Sequence, residues 1–356
     1  MNIRLLSLGF GNVGQALARM LAQKEAALRD EYGLTFTFTG IYTRTTGALA
    51  FAGAGVTAGQ LVDLGWPPPA DSPLIATGPA DPLDFIQSCP ADAVLELSAL
   101  DPMTGQPASD YIRTALRSRK HIVTANKGPI AHAYRELRAL AAEHGVRLRF
   151  ESTVMDGTPI FGMSEASLPA TVLEGFRGLL NSTSNYVLSL MAEGASVEEG
   201  VAAAQQVGVA EANPAYDLEG WDASVKATVL ANVLMGADLR PQGVRREGLG
   251  AEAMRAAQAA LQPGQTLKQV VEATREADGS IVARVRLLAL PPDDFFAHLS
   301  GMETAVTLHT DTMRDLTIVE GEGDPGQTAF GVLADLVNIA RATGASDRDR
   351  ENIGVN

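Results

Sequence analysis

IRLLSLGFGNVGQALARMLAQKEAALRDEY, residues 3–32, decides the reading of the fold. Residues 3–8, IRLLSL, read as a buried strand. Residues 15–32, QALARMLAQKEAALRDEY, place Leu17, Met20, Leu21 and Leu28 on one side, which predicts a helix. Between them stands GFGNVG, made of Gly9, Phe10, Gly11, Asn12, Val13 and Gly14. In this setting Gly9 permits a tight turn, Gly11 lets backbone N–H groups approach a pyrophosphate, and Gly14 lets helix and strand pack closely. The phosphates of a dinucleotide would then meet a helix N-terminus, where unpaired N–H groups and the helix dipole favour negative charge. As a bare hexapeptide, three glycines make only a turn; between strand and helix they predict a dinucleotide site.

Outward from this unit the alternation continues. TFTFTGIYTR, 35–44, has the β-branched and aromatic content of a second strand. Its end helps decide which dinucleotide is bound, because an acidic residue there suits a ribose 2′-hydroxyl and an arginine suits a 2′-phosphate. Here the strand ends in Arg44 among Thr43, Thr45 and Thr46, which points to NADP(H) and leaves NAD(H) open as a second cofactor. WPPPADSP, 66–73, reads as a surface loop. DAVLELSA (92–99) and HIVTAN (121–126) are further short strands, joined by the helix PASDYIRTALRSR, which Pro107 opens in the first turn. With AYRELRALAAEHG and VRLRFEST following, the first 150 residues predict a mainly parallel sheet covered on both faces.

Beyond residue 151 the rhythm changes. Ser196 and Glu199 form a capping-box pattern, and a helix over 222–235 carries Val225, Val229 and Val233. TLKQVVEATREADGSIVARVRLLAL reads as a hairpin turning at Asp278-Gly279, and AVTLHTDTMRDLTIVEG as a second one. TAFGVLADLVNIARAT is apolar enough to pack back on the first domain.

Two further stretches carry chemistry. TANKGPIA follows a strand at the carboxyl end of the sheet, where open α/β folds bind ligands. Asn126 can offer an amide there and Lys127 an ammonium, with Ser98 close by at the end of the preceding strand. GVAEANPAYDLEGWDASVK gathers Glu211, Asp217, Glu219, Asp222 and Lys226 around a broken loop that runs into an apolar helix. Asp222 and Lys226 are four apart and share a helix face, so they can pair. A lysine held by a carboxylate beside an apolar seam can store or pass a proton.

Composition bounds the function classes. The 356 residues suffice for two domains, and 46% hydrophobic with 20% charged residues is the balance of a globular protein. A net charge of −14 argues against nucleic acid and anionic membrane as partners. Cys89 is the single cysteine, which rules out an intrachain disulfide and a cysteine-based zinc site and suits a cytoplasmic location. The five histidines show no metal-ligand spacing. The glycines at 9, 11 and 14 break the N-terminal apolar run, so it reads as a strand and not as a secretory signal, and no apolar run is long enough to span a bilayer.

Taken in order, GFGNVG, DPMTGQPA, HIVTANKGPIA, FESTVMDGTPI, GLLNSTSNYVLSLM and AEANPAYDLEGWDASVK resemble the homoserine dehydrogenases over most of the chain. The resemblance implies an α/β enzyme with a Rossmann-type cofactor domain, residues 1–150 rejoined by 315–356. It implies a second α+β domain, 151–314, for substrate binding and homodimerisation. It implies a small-molecule substrate, homoserine or aspartate 4-semialdehyde, interconverted with NAD(P)(H). Lys127 and Lys226 then correspond to the two lysines at the reacting hydroxyl, and Asp222 to the carboxylate beside the second. Glu211 and Asp217 correspond to acids that hold the substrate ammonium, and Asn181, Thr183 and Tyr186 lie in a substrate-binding segment. Glu151 and the Val154 carbonyl correspond to a monovalent-cation site. Departures from the family pattern are Ser182 in place of glycine, which adds a side chain where the backbone approaches closely, and Met155-Asp156 in place of small residues, with Asp156 as an added ligand. The chain has no length for the regulatory domain of larger relatives, so no threonine feedback is expected. Another dehydrogenase of small hydroxy or amino acids, or a non-catalytic NADP-binding sensor, are the alternative readings.

Overall fold

In the computed structural model the described residues are 1–69, 71–210, 213–250, 253–255, 258 and 261–353, with side chains described as far as residue 343. The chain divides into two units. The first comprises Met1–Asp101, Gly105–Pro159 and Asp324–Asn356, the second Pro102–Thr104 and Ile160–Gly323. The divisions therefore fall at 159/160 and 323/324. Residues 151–159 belong with the first unit, and residues 315–320 stay in the second unit because they form a strand of its sheet.

The first unit contains β1 (Asn2–Leu8), α1 (Asn12–Gln23), α2 (Glu25–Tyr32), β2 (Thr35–Thr43), β3 (Gly47–Phe51), β4 (Val56–Thr57) and α3 (Ala58–Leu64). It continues with β5 (Ile75–Thr77), α4 (Pro82–Ser88), β6 (Ala93–Glu96), α5 (Ala108–Arg117), β7 (His121–Thr124), α6 (Lys127–Glu143) and β8 (Leu148–Arg149). The sheet order is β5-β3-β2-β1-β6-β7-β8, with β4 beside β2. The run from β2 through β8 is parallel, and β3, β4 and β5 add antiparallel pairs on one side. Alternation along β1 sends Ile3 and Leu5 into a core with Leu17, Leu21, Phe38 and Leu61, and Leu6 and Leu8 into another with Phe85, Ile86, Ile112 and Leu137. Helices thus cover both faces, as a parallel sheet requires.

Local details depart from the sequence reading. The helix expected over 15–32 is two helices, because Lys24 leaves helical geometry (φ −98°, ψ 7°) while its N–H still bonds the Met20 carbonyl. Pro107 is the residue before the first turn of α5, not within it. The strand expected over 92–99 ends at Glu96, where the backbone N–H of Ser98 turns to the Glu96 carboxylate instead of a neighbouring strand. VRLRFEST yields only a two-residue β8; Glu151–Thr153 coil into a 3-10 turn. Trp66, in the stretch expected as a surface loop, packs its ring 4.6 Å from that of Phe10.

The second unit contains α7 (Phe161–Ser167), β9 (Leu173–Leu179), α8 (Ser182–Ala192), α9 (Val197–Gln206), α10 (Ala215–Leu218), α11 (Trp221–Leu234) and β10 (Arg245–Arg246). After these come β11 (Thr266–Arg275), β12 (Ile281–Leu290), β13 (Thr304–Thr310) and β14 (Arg314–Glu320). Its sheet runs β10-β12-β11-β9-β13-β14. Both expected hairpins form, the first turning through Gly279 at φ 84°. The capping box of Ser196 and Glu199 starts α9 with both reciprocal hydrogen bonds. The final helix, α12 (Pro325–Ile353), belongs to the first unit, where Leu333 and Leu336 enter the same core as α1. Among the described residues no helix is long and apolar enough to cross a membrane.

Candidate active site

The sequence-predicted residues fall into two constellations, one in each unit. In the first, the turn after β1 lies at the carboxyl end of the sheet. Gly9 has φ 96°, and a Cβ there would stand 2.3 Å from the Leu97 carbonyl oxygen, so only glycine lets the β1 turn lie against the loop after β6. Gly11 precedes α1 without a side-chain cap, and a Cβ on it would meet nothing within 4 Å. The first turn of α1, from Asn12 and Val13, carries no acidic residue. That is the open, N–H-lined approach a pyrophosphate needs. Gly14 accommodates the ring of Phe10, 3.0 Å from where its Cβ would be. Phe10 itself is 4% exposed and packs on Phe38 and Trp66, so its ring belongs to the core and only its main chain faces the turn.

Arg44 is exposed in the turn after β2, whose end lies beside that of β1 in register Leu8 to Tyr42. The threonines around it bond each other: the Thr43 hydroxyl lies 2.7 Å from that of Thr46 and 3.1 Å from that of Thr45. They shape the turn that presents Arg44.

Across the centre of the sheet, Asn126 caps α6, its Oδ1 accepting the Gly128 N–H at 3.0 Å, while its Nδ2 donates to the Ser98 carbonyl at 3.3 Å. Its amide thus positions the first residues of α6, of which Lys127 is half-buried. Gly105, at φ 67°, places its Cα against Gly128, with a would-be Cβ 2.8 Å from the Gly128 carbonyl oxygen, which ties the DPMTGQPA loop to the lysine-bearing turn. Beneath both loops lies a residue the sequence reading did not select. Glu96 is fully buried; Ser98 donates to its Oε1 from its N–H at 3.0 Å and from its hydroxyl, and Thr124 donates to Oε2 at 3.0 Å. Burial pushes its acid up to about 7 against the pull of these hydrogen bonds. The available signal was a lone glutamate inside the apolar run AVLEL.

Residues 151–158 pack on α12. Asp335 accepts the Glu151 N–H at 2.8 Å, Ser152 donates to the Thr328 carbonyl at 2.7 Å, and Thr328 donates to Asp156 at 2.9 Å. Gly157 and Gly331 allow this: a Cβ on Gly157 would stand 2.2 Å from the Gln327 carbonyl oxygen. Glu151 is 6% exposed and Val154 2%. Asp156, at φ 33°, has one carboxylate oxygen engaged by Thr328. Among the described residues no group of three or more His, Cys, Asp or Glu side chains is arranged as a metal site.

In the second unit the elements converge on one side chain. Asn181 caps α8, its Oδ1 accepting the Ser184 N–H at 2.7 Å, and its Nδ2 donates to Asp217 at 2.7 Å and to Asp222 at 2.9 Å. Lys226 lies 3.4 Å from Asp222 and donates to the Leu180 carbonyl at 2.5 Å. The Lys226 and Asp222 side chains are only 15% and 12% exposed, which sets this i,i+4 pair apart from solvated helix-surface pairs. Gly220, at φ 78°, turns the chain from α10 into α11 so that Asp217 and Asp222 face the same asparagine. Arg246 stacks over Trp221, 3.4 Å from the ring centroid, and steadies that turn.

Other expected residues lie apart from this cluster. The Thr183 hydroxyl donates to the Val209 carbonyl at 3.1 Å, and Tyr186 packs against the apolar cluster of Val187, Leu188 and Leu249. Ser182 is the first residue of α8, directly after the Asn181 cap, in a backbone conformation open to any side chain. Glu211 lies outside the described residues.

Residues 159–337 match the homoserine dehydrogenase family model and residues 9–151 its NAD-binding domain model. The chain is 35% identical over 341 residues to the NAD(+)-dependent homoserine dehydrogenase of Pseudomonas canavaninivorans, covering 94% of this chain and 96% of that protein. It is 30% identical over 345 residues to the homoserine dehydrogenase of Methanocaldococcus jannaschii, covering 95% and 99%. Among solved structures, a homoserine dehydrogenase from Thiobacillus denitrificans superposes with a TM-score of 0.79 at 28% identity, covering 97% of this chain and 74% of that one. Family models that match 9–151 and 159–337, together with relatives 30–35% identical and covered almost end to end, show that the protein belongs to the homoserine dehydrogenase family.

Proposed function

We propose that this protein interconverts L-homoserine and L-aspartate 4-semialdehyde with a nicotinamide dinucleotide, a step in threonine, methionine and isoleucine biosynthesis. The observation that carries the reading is the sheltered cluster of Lys226, Asp222, Asn181 and Asp217. Bound nicotinamide supplies the hydride acceptor or donor. The chain supplies the proton chemistry and the grip on substrate. Asp222 orients Lys226, which takes the hydroxyl proton as the alcohol is oxidised and returns it in the reverse direction. Lys127, at the start of α6, is the second lysine that the family resemblance assigns to the reacting oxygen. Asp217 and Glu211 hold the substrate ammonium, since a cationic group needs carboxylate partners. Asn181 faces the substrate from the cluster, and Thr183 and Tyr186 hold α8, which it caps, against the Val209 carbonyl and the apolar cluster behind it. Loss of Lys226 in Lys226→Ala lowers kcat by roughly 10²- to 10⁴-fold with cofactor affinity retained; near-wild-type kcat in either direction would remove the lysine from the mechanism.

The cofactor is held by Gly9, Phe10, Gly11, Asn12, Val13 and Gly14 through the turn, and by Ser98, Asn126 and Lys127 at the nicotinamide end. NADP(H) is the preferred form, because no carboxylate closes β2 and Arg44 is presented there. A second reading, NAD(H), is favoured by the name of the Pseudomonas canavaninivorans relative. Homoserine-dependent reduction of NADP⁺ and NAD⁺, followed by nicotinamide absorbance in wild type and Arg44→Ala, separates the two. A preference for NADP⁺ that collapses in the variant supports the Arg44 assignment, and an unchanged ratio defeats it.

The buried Glu151 carboxylate and the Val154 carbonyl are hard oxygen donors of the kind that hold a monovalent cation, which would brace the 151–158 segment. Substituting potassium or sodium by tetramethylammonium in the assay tests this. Pairing of two copies through the second unit is supported by exposed Met313 and Val319 at the β14 end of its sheet, and light scattering reads the mass.

A further inference from the structure

Glu96 ends β6, the strand between β1 and β7, with no exposed surface. Its carboxyl receives the Ser98 N–H, the Ser98 hydroxyl and the Thr124 hydroxyl. The Thr124 oxygen accepts the Asn126 N–H at 3.0 Å, Asn126 bonds the Ser98 carbonyl, and its Oδ1 caps Gly128. One buried carboxyl thereby closes a ring of hydrogen bonds across the ends of two parallel strands. The ring carries Ser98, Asn126 and the turn that opens with Lys127. Burying a carboxyl without a cation costs stability that an apolar residue in a sheet centre would not. Packing alone therefore gives no reason for it.

We propose that Glu96 is a positioning residue for the dehydrogenase reaction, its carboxylate fixing Ser98, Asn126 and the N-terminus of α6 in the geometry that hydride transfer requires. This rests on the functional reading above. The ionised form is the competent one. Three donors converge on the carboxyl, so the anion is the form the ring satisfies; a proton on Oε2 forces the Thr124 hydroxyl to turn from donor to acceptor, and the ring loses one of the hydrogen bonds that hold it. With the acid near 7, turnover falls as pH drops through neutrality. The groups facing Glu96 leave this assignment intact. β1 pairs Leu8 with it, β7 pairs Thr124, and α5 brings Tyr111, whose phenol is pushed up by burial first and by the Glu96 charge among lesser causes. Lys127 begins α6 beyond the ring.

The test is Glu96→Gln in the full chain, beside Thr124→Val and Thr124→Ser. Gln keeps the shape but turns one acceptor into a donor. It lowers kcat by about 10- to 100-fold, the scale of a small misplacement of reacting groups, and abolishes the acid limb near pH 7, while the Kd for NADPH, read by fluorescence, stays within about threefold. Thr124→Val removes one hydrogen bond to the charged form and moves the limb to higher pH; Thr124→Ser restores it. Infrared titration of the cofactor-free protein gives a readout without turnover, as the protonated-acid carbonyl band appears on acidification in wild type and is missing in Glu96→Gln. If Glu96→Gln does not fold, the threonine pair and the wild-type titration still decide. Active wild type with an unmoved limb in the Thr124 variants, or kcat unchanged in Glu96→Gln, overturns the role of Glu96 alone. Wild type that binds NADPH yet turns over neither homoserine nor the semialdehyde overturns the functional reading, and this role with it.

Discussion

Asn181 does two jobs that two substitutions separate. Its Oδ1 caps α8 on Ser184, and its Nδ2 bridges Asp217 and Asp222. Asn181→Ala loses a cap, about 1 kcal/mol, and two hydrogen bonds to ionised acceptors, nominally about 1.5 kcal/mol each or more. Water entering the space recovers part of the second amount, so the net loss is about 2–3 kcal/mol. Asn181→Asp keeps the cap, because aspartate caps as well as asparagine does. It replaces the bridging donor with a third carboxylate facing Asp217 and Asp222. On cap energetics alone this variant would match wild type; on the bridging argument it is at least as destabilised as Asn181→Ala at pH 7. Crowding raises the affinity of the three carboxyls for a proton, so the native state binds more protons than the unfolded chain on the acidic side of neutrality. Stability then rises as pH falls. Urea denaturation of the three proteins at pH 7.5 and 5.5, with kcat measured alongside, checks this. Asn181→Asp as stable as wild type at pH 7.5, or without gain relative to Asn181→Ala at pH 5.5, would refute the bridging role.

The glycines of the turn divide in the same way. Gly9→Ala meets both φ 96° and the Leu97 backbone, so it loses about 1–3 kcal/mol of stability; an unchanged melting temperature would be the contrary result. Gly11→Ala has open space around its Cβ and keeps its stability, but the methyl stands where phosphates approach and weakens NADPH binding about tenfold or more, which fluorescence titration reads. Lys268, 2% exposed near the start of β11, donates to Asn185 at 2.8 Å and to the Leu299 carbonyl, and burial brings it down to about 8. Below pH 8 the folded protein bears the full cost of that buried charge; between about 8 and 10.5 the native amine is neutral while the unfolded one is charged. Stability of wild type relative to Lys268→Met therefore rises with pH across this window, by at most about 1.4 kcal/mol per pH unit. A difference that stays flat between pH 7.5 and 9.5 in urea titrations would contradict the assignment.

The readable parts of the chain were those written in local pattern. GFGNVG between an apolar strand and a helix, the Asp278-Gly279 hairpin and the Ser196 capping box each rest on neighbours in sequence, and each stands where it was read. Local pattern misled where a single residue's backbone angles or a side-chain hydrogen bond decided. Lys24 sits in a run of good helix formers, yet it leaves helical geometry and a second helix starts at Glu25. The strand after Asp92 stops at Glu96: the Leu97 N–H still bonds the Leu8 carbonyl, but a side-chain carboxylate takes that of Ser98, a choice that alternation of apolar residues does not encode.

The site divides along the same line. Lys226 and Asp222 were legible because four residues of helix bring them together wherever the helix lies. By itself the sequence determined the alternating order of strands and helices, the glycine turn fit for a pyrophosphate, and the residue types able to move a proton. Only the tertiary structure decided that Asn181 reaches Asp217 and Asp222 across 36 and 41 residues of chain, that Phe10 faces the core, and that Glu96 lies beneath Ser98 and Asn126. The reason is physical: hydrogen bonding and burial act through space, and whether a carboxylate is solvated or enclosed depends on which distant strands and loops are packed around it.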